Sequence, residues 1–81
     1  MRDTVDNTST LTEQQAKVLE YINEYRREFQ CAPTQLEIAR HFGWSSQNSA
    51  ECHLQAMERK GVIVRRRGVA RGILVVEHNG R

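Results

Sequence analysis

Residues 46–55 read Ser46-Gln47-Asn48-Ser49-Ala50-Glu51-Cys52-His53-Leu54-Gln55. Most of these side chains are short and polar. Asn and Gln amides match the paired donor and acceptor of an adenine edge. A carboxylate accepts from the cytosine amino group, and a serine hydroxyl bonds either. A helix face that merely meets water usually carries more long Lys and Glu side chains. Glu51 is the most informative residue, because a carboxylate facing phosphates is repelled and belongs there only if it reads bases. Further along come Arg65, Arg66 and Arg67, then Arg71. Side chains alternate along a strand, so three adjacent arginines cannot all face one way. One or two should project toward a phosphate backbone or narrow groove. Charges that merely protect a sheet edge explain one arginine better than three.

Other chemistries find little support. His41, His53, His78 and the scattered acids form no constellation with catalytic spacing, so no enzyme is expected. Cys31 and Cys52 are too few for a disulfide framework and form no Cys-x-x-Cys pair. Cys52 and His53 are helix neighbours that point in different directions, so they cannot easily share an ion. Two reduced thiols are expected, with no metal, cofactor or small-molecule ligand.

The bulk numbers agree. The chain has 81 residues, one domain at most, with 38% hydrophobic and 27% charged residues. No apolar run nears the ~20 residues of a membrane span. Met1–Thr10 lacks the apolar centre of a secretory signal. No membrane partner is therefore expected, and the expected location is the bacterial cytoplasm, nucleoid included. Residues 1–58 hold five basic and nine acidic side chains, whereas residues 59–81 hold seven basic and one acidic. A basic end on an acidic body suggests a polyanionic partner.

Several elements must position these groups. Residues 1–10 carry no periodicity and are expected to be a flexible lead-in. Thr12-x-x-Gln15 fits a capping box that opens a first helix. Val18, Ile22, Tyr25 and Phe29, with Leu19 beside them, give that helix one apolar face to its end near Phe29. Thr34 and Glu37 form a second capping box for a short helix with Leu36, Ile38, Ala39 and Phe42 on its apolar side. Gly43 is its expected stop. Ser46 caps a third helix from about Gln47 to Lys60, with Ala50, Leu54 and Met57 buried and Gly61 after it. Val62–Val64 and Ile73–Val76 read as two strands joined by a basic, glycine-containing loop. Residues 77–81 are expected to be a frayed tail. The fold class is mainly α with a small β-hairpin: a three-helix winged helix-turn-helix over residues 11–76. In that geometry the second of two crossing helices enters the major groove of DNA. Ala39 and Gly43 supply the small residue and the glycine that the tight connection needs.

From Leu11 to about Val76 the chain resembles the N-terminal DNA-binding domain of the LexA repressors, regulators of the bacterial DNA-damage (SOS) response. The resemblance lies in Leu11-Thr12-x-x-Gln15, Pro33-Thr34-x-x-Glu37-Ile38-Ala39, Phe42-Gly43-Trp44, Ser46-x-Asn48-x-Ala50-Glu51, His53-Leu54, Arg59-Lys60-Gly61-Val62-Ile63 and Arg71-Gly72-Ile73. It implies a symmetric pair of domains on a palindromic double-stranded operator, hence pairing as a homodimer on DNA. It also implies base contacts from Ser46, Asn48, Ser49, Glu51 and Cys52. Ser49 and Cys52 depart from the enterobacterial pattern of alanine and glutamate, which bears on any preference for CTG-type half-sites. Thr34, Gln35, Gln47, Arg65, Arg66, Arg67 and Arg71 are the expected backbone contacts. Family members continue into a self-cleaving domain with a serine–lysine pair. Neither self-cleavage nor a built-in damage response is expected of these 81 residues, and a stand-alone copy would suit a phage, plasmid or mobile-element regulator. The competing reading is a protein-interaction module that pairs with a host or full-length regulator. Trp44 is its test residue, although an indole there is read first as core or turn packing.

Overall fold

The computed structural model describes residues 11–76. The expected lead-in (1–10) and tail (77–81) lie outside the described residues. The order is α1 (Glu13–Phe29), α2 (Gln35–Phe42), α3 (Gln47–Arg59), β1 (Ile63–Arg65) and β2 (Ile73–Val75), a mainly helical winged helix-turn-helix.

Both capping boxes form. Thr12 Oγ1 accepts from the Gln15 amide at 3.1 Å, and Gln15 Oε1 accepts from the Thr12 amide at 3.2 Å. Gln15 is buried, and the same oxygen also accepts from Lys60 Nζ at 2.7 Å, which offsets the cost of burying it and ties the start of α1 to the end of α3. At α2, Thr34 Oγ1 accepts from the Glu37 amide (3.1 Å), and Glu37 Oε1 accepts from the Thr34 amide (2.9 Å). At α3, Ser46 Oγ accepts from the Asn48 amide at 3.0 Å.

Two helices stop by one device. Past α2, Gly43 sits at φ +73°, its amide donates to Arg40 O, and the Trp44 amide donates to Ala39 O. Past α3, Gly61 at φ +81° donates to Glu58 O, and Val62 donates to Met57 O. Each pair of back-bonds satisfies carbonyls the helix would leave bare, and the left-handed turn suits glycine. The expected end at Lys60 moves one residue, since Lys60 is the cap of α3.

The core comprises Val18, Ile22, Ala32, Ile38, Ala39, Ala50, Leu54, Met57, Val62, Ile63 and Ile73. Burying Leu54 fully contributes about 1.5–3 kcal/mol. Ala39 and Ala50, both buried, let α2 and α3 pack closely. Three expected apolar-face residues stay out of the core: Tyr25, half-buried at the surface of α1, and Phe29 and Leu36. Phe29 is 55% exposed, because no residue of α1 beyond Ile22 reaches the core, and its ring lies on Tyr25 (centroids 4.5 Å). Leu36 is 43% exposed. It lies in the first turn of α2 and lines the cleft under the wing.

The strands pair antiparallel, Ile63 with Val75, Val64 with Leu74 and Arg65 with Ile73. β1 starts one residue later than expected, because the Val62 amide is turned back to the helix end. β2 ends at Val75, and the Val76 amide still reaches Val62 O (3.0 Å). Ile63 and Ile73 face inward and Val64 and Leu74 outward, which puts Arg65 on the inner face.

Candidate nucleic-acid interface

Ser46 ends the turn before α3, and the first turns of α3 present Gln47, Asn48 and Cys52 to solvent, with Ser49 and Glu51 half-buried. Gln55, one turn beyond Glu51, is exposed. This face borders a cleft of about 400 Å³ between the start of α2 (Thr34, Gln35), α3 and the wing (Arg65–Gly72). Residues far apart in the sequence thus meet along one edge.

The four arginines divide into two classes. Arg65, inward on β1, grips Glu51 with a fork: its two terminal nitrogens donate to Glu51 Oε1 (2.8 Å) and Oε2 (3.1 Å). Its Nε donates to Glu58 Oε1 at 3.3 Å. Glu51 Oε1 also accepts from Gln35 Nε2, and Oε2 accepts from Gln55 Nε2 at 2.9 Å. Gln35 in turn accepts from Gln47 Nε2 at 3.1 Å. The guanidinium of Arg65 lowers the Glu51 pKa to about 2, and the Arg65 pKa rises in return.

Arg71 makes a second fork onto Glu37 at 2.9 Å for both bonds, and donates to Tyr25 Oη (3.1 Å) and Ala32 O (3.0 Å). It ties the end of the wing to the junction of α1 and α2, and it lowers the Glu37 pKa to about 2, helped by the Thr34 amide. Two of the arginines expected on phosphate are therefore already paired within the protein. Arg66 and Arg67 are exposed, and neither has an ion pair among the described residues.

Glu51, expected at this face only as a base reader, also has an arginine partner across the cleft, which its place in the sequence does not announce. Glu58, Glu37 and Tyr25 were missed as well. Their partners lie 7, 34 and 46 residues away in sequence, beyond the reach of any local pattern.

Trp44 stacks between Phe42 (centroids 5.0 Å) and His53 (4.9 Å) and is half-buried, as a turn-packing indole would be. His53 is committed to that stack. His41 lies on Tyr21 at 4.0 Å.

Two helices crossing through a glycine turn, a third bracing them and an arginine-tipped hairpin beside the second of the pair define a winged helix-turn-helix. Its outward helix start and its wing share one face. Within this class the profile of the LexA DNA-binding domain matches residues 8–72, and the chain belongs to that family. It is 43% identical over 67 residues to the LexA repressor of Verrucomicrobium spinosum, covering 83% of this chain and 33% of the relative. To that of Cupriavidus metallidurans it is 48% identical over 65 residues, 80% of this chain and 30% of the relative. To that of a Marinomonas species it is 46% identical over 67 residues, 83% and 32%. The chain thus spans about a third of the length of these curated relatives.

Proposed function

We propose that this chain is a sequence-specific double-stranded DNA-binding repressor domain of the LexA type. The start of α3 lies in the major groove, and Ser46, Asn48, Ser49, Glu51 and Cys52 meet base edges there. The wing follows the phosphate backbone or the adjoining minor groove through Arg66 and Arg67. Thr34, Gln35 and Gln47 approach phosphate where two helix N-termini converge on the cleft. One domain covers one half-site and binds it weakly alone, so two copies pair on a palindromic operator of the kind found in SOS control.

One observation carries this reading. The exposed polar start of α3 lies on the same face as Arg66 and Arg67, which have no ion pair among the described residues. Donors and acceptors suited to base edges stand next to cations left open to an outside anion, and that combination fits a duplex better than it fits bulk water.

The test is selection of bound sequences from a random duplex pool. A palindromic motif with half-sites about one helical turn apart is the expected product. CTG-like half-sites are expected where Asn48 and Glu51 read, with altered preference where Ser49 and Cys52 lie. A pool that never enriches, at any salt concentration, overturns the proposal.

A further inference from the structure

Glu51 reaches the edge of the interface with its acceptor capacity full. A carboxylate offers about four lone-pair positions. Arg65 fills two, Gln35 one and Gln55 one. These donors are not equivalent. Arg65 has a side chain only 17% exposed, against 28% for Glu51, and it is anchored from below by Glu58. Gln55 is exposed and neutral, and its amide NH₂ is the same kind of donor as the exocyclic amine of cytosine. A base arriving from the open side can replace Gln55 at Oε2, while Arg65 keeps the carboxylate plane fixed from behind. Arg65 also cancels the charge that phosphates would otherwise repel.

Resting on the DNA-binding reading above, we infer that Arg65 is a positioning residue for base recognition, which fixes Glu51 toward a base edge, and is not a phosphate anchor. Two forked bonds define a plane, which a point charge cannot do. Releasing Arg65 to reach a phosphate would leave Glu51 and Glu58 without their shared cation at the edge of a polyanion. Arg66, the next residue, faces outward with no ion pair among the described residues and takes the backbone role.

The experiment compares R65Q, R65K, E51Q and R66Q with the parent chain. The probes are the duplex selected above and its single-base-pair variants, titrated across a range of salt concentrations. Each variant is first checked for its thermal transition. R65Q is expected to lower discrimination at the base pair read by Glu51 by about 5- to 150-fold, as E51Q does. The R65Q/E51Q double variant is expected to lose no more than either alone. The slope of log affinity against log salt stays unchanged in R65Q, whereas R66Q flattens it by about 0.9. R65K keeps the charge but not the fork, so it fails to restore discrimination. If R65Q instead flattens the slope as R66Q does, keeps base preference and is rescued by lysine, Arg65 is a phosphate anchor and the inference is overturned. A parent chain that binds no duplex overturns the function itself, and this inference with it.

Discussion

Gly72 is the point where the wing can be broken by a single methyl group. A Cβ built there would lie 2.9 Å from Arg66 O, 3.0 Å from Arg66 Cβ and 3.0 Å from Val69 O. Two of these neighbours are backbone atoms, which cannot swing aside. Relief requires the 66–72 loop to open. That opening breaks the bond from the Arg66 amide to Gly72 O (2.9 Å) and the one from the Gly72 amide to Val69 O (3.2 Å). Overpacking of this kind costs about 1–3 kcal/mol. For a domain of this size each kcal/mol lowers the melting temperature by roughly 4–8 °C. Gly72→Ala is therefore expected to melt roughly 4–24 °C below the parent. The control is Gly68→Asn in the same loop. Gly68 has φ +78°, and a Cβ at that position would meet nothing within 4 Å. Asparagine tolerates that left-handed conformation better than other side chains, so the change is expected to cost about 1 kcal/mol or less. Thermal melts followed by circular dichroism measure both. Because the opened loop carries Arg66 and Arg67, Gly72→Ala should also weaken binding to DNA of any sequence. A Gly72→Ala chain that melts within about 2 °C of the parent while Gly68→Asn falls further would refute the packing argument.

Other outcomes follow from the same geometry. Replacing Arg66 and Arg67 together by glutamine should flatten the salt slope by about 1.8 and weaken binding to all sequences alike; each lost contact changes the affinity ratio between 50 and 200 mM salt by about 3.5-fold in a filter or fluorescence titration. Asn48→Ala should relax preference at one base pair by about 1–3 kcal/mol in competition with variant duplexes, and equal losses on every duplex would contradict a base contact. Glu37 and Glu51 have pKa values lowered from 4.5 to about 2. The unfolded chain therefore binds more protons between those values: the stability from both is fully present above about pH 4.5 and is lost as pH falls toward 2. Solvent screening holds the share of Glu51 to about 1 kcal/mol, and urea melts of E51Q should show a weaker loss in that window. Leu54→Ala removes a fully buried side chain and should cost about 2–5 kcal/mol in the same melts.

The helices and their ends were legible without tertiary information, because their determinants are local. A capping box acts over three residues, as at Thr12 and Thr34. The glycine stops at Gly43 and Gly61 need only a backbone that tolerates positive φ. The stripes Val18/Ile22 and Ala50/Leu54/Met57 repeat with the helix turn. The polar run from Ser46 to Gln55 and the arginines before Gly72 were equally visible, since residue type and order alone carry them. The family resemblance drew on the same residues.

Which side chains were free to act was decided only by the folded arrangement. Three neighbouring arginines look alike in the chain, yet the pleat of β1 turns Arg65 inward to Glu51 while Arg66 and Arg67 stay outside. Arg71 looked like one more cation until folding brought Glu37 and Tyr25 to it from the two helices at the far end of the wing. Phe29 and Leu36 kept the helical rhythm of a core but fell beyond its reach. Periodicity reports which face a residue lies on, whereas ion pairing and burial depend on what stands opposite, and that is set by contacts between segments distant in sequence.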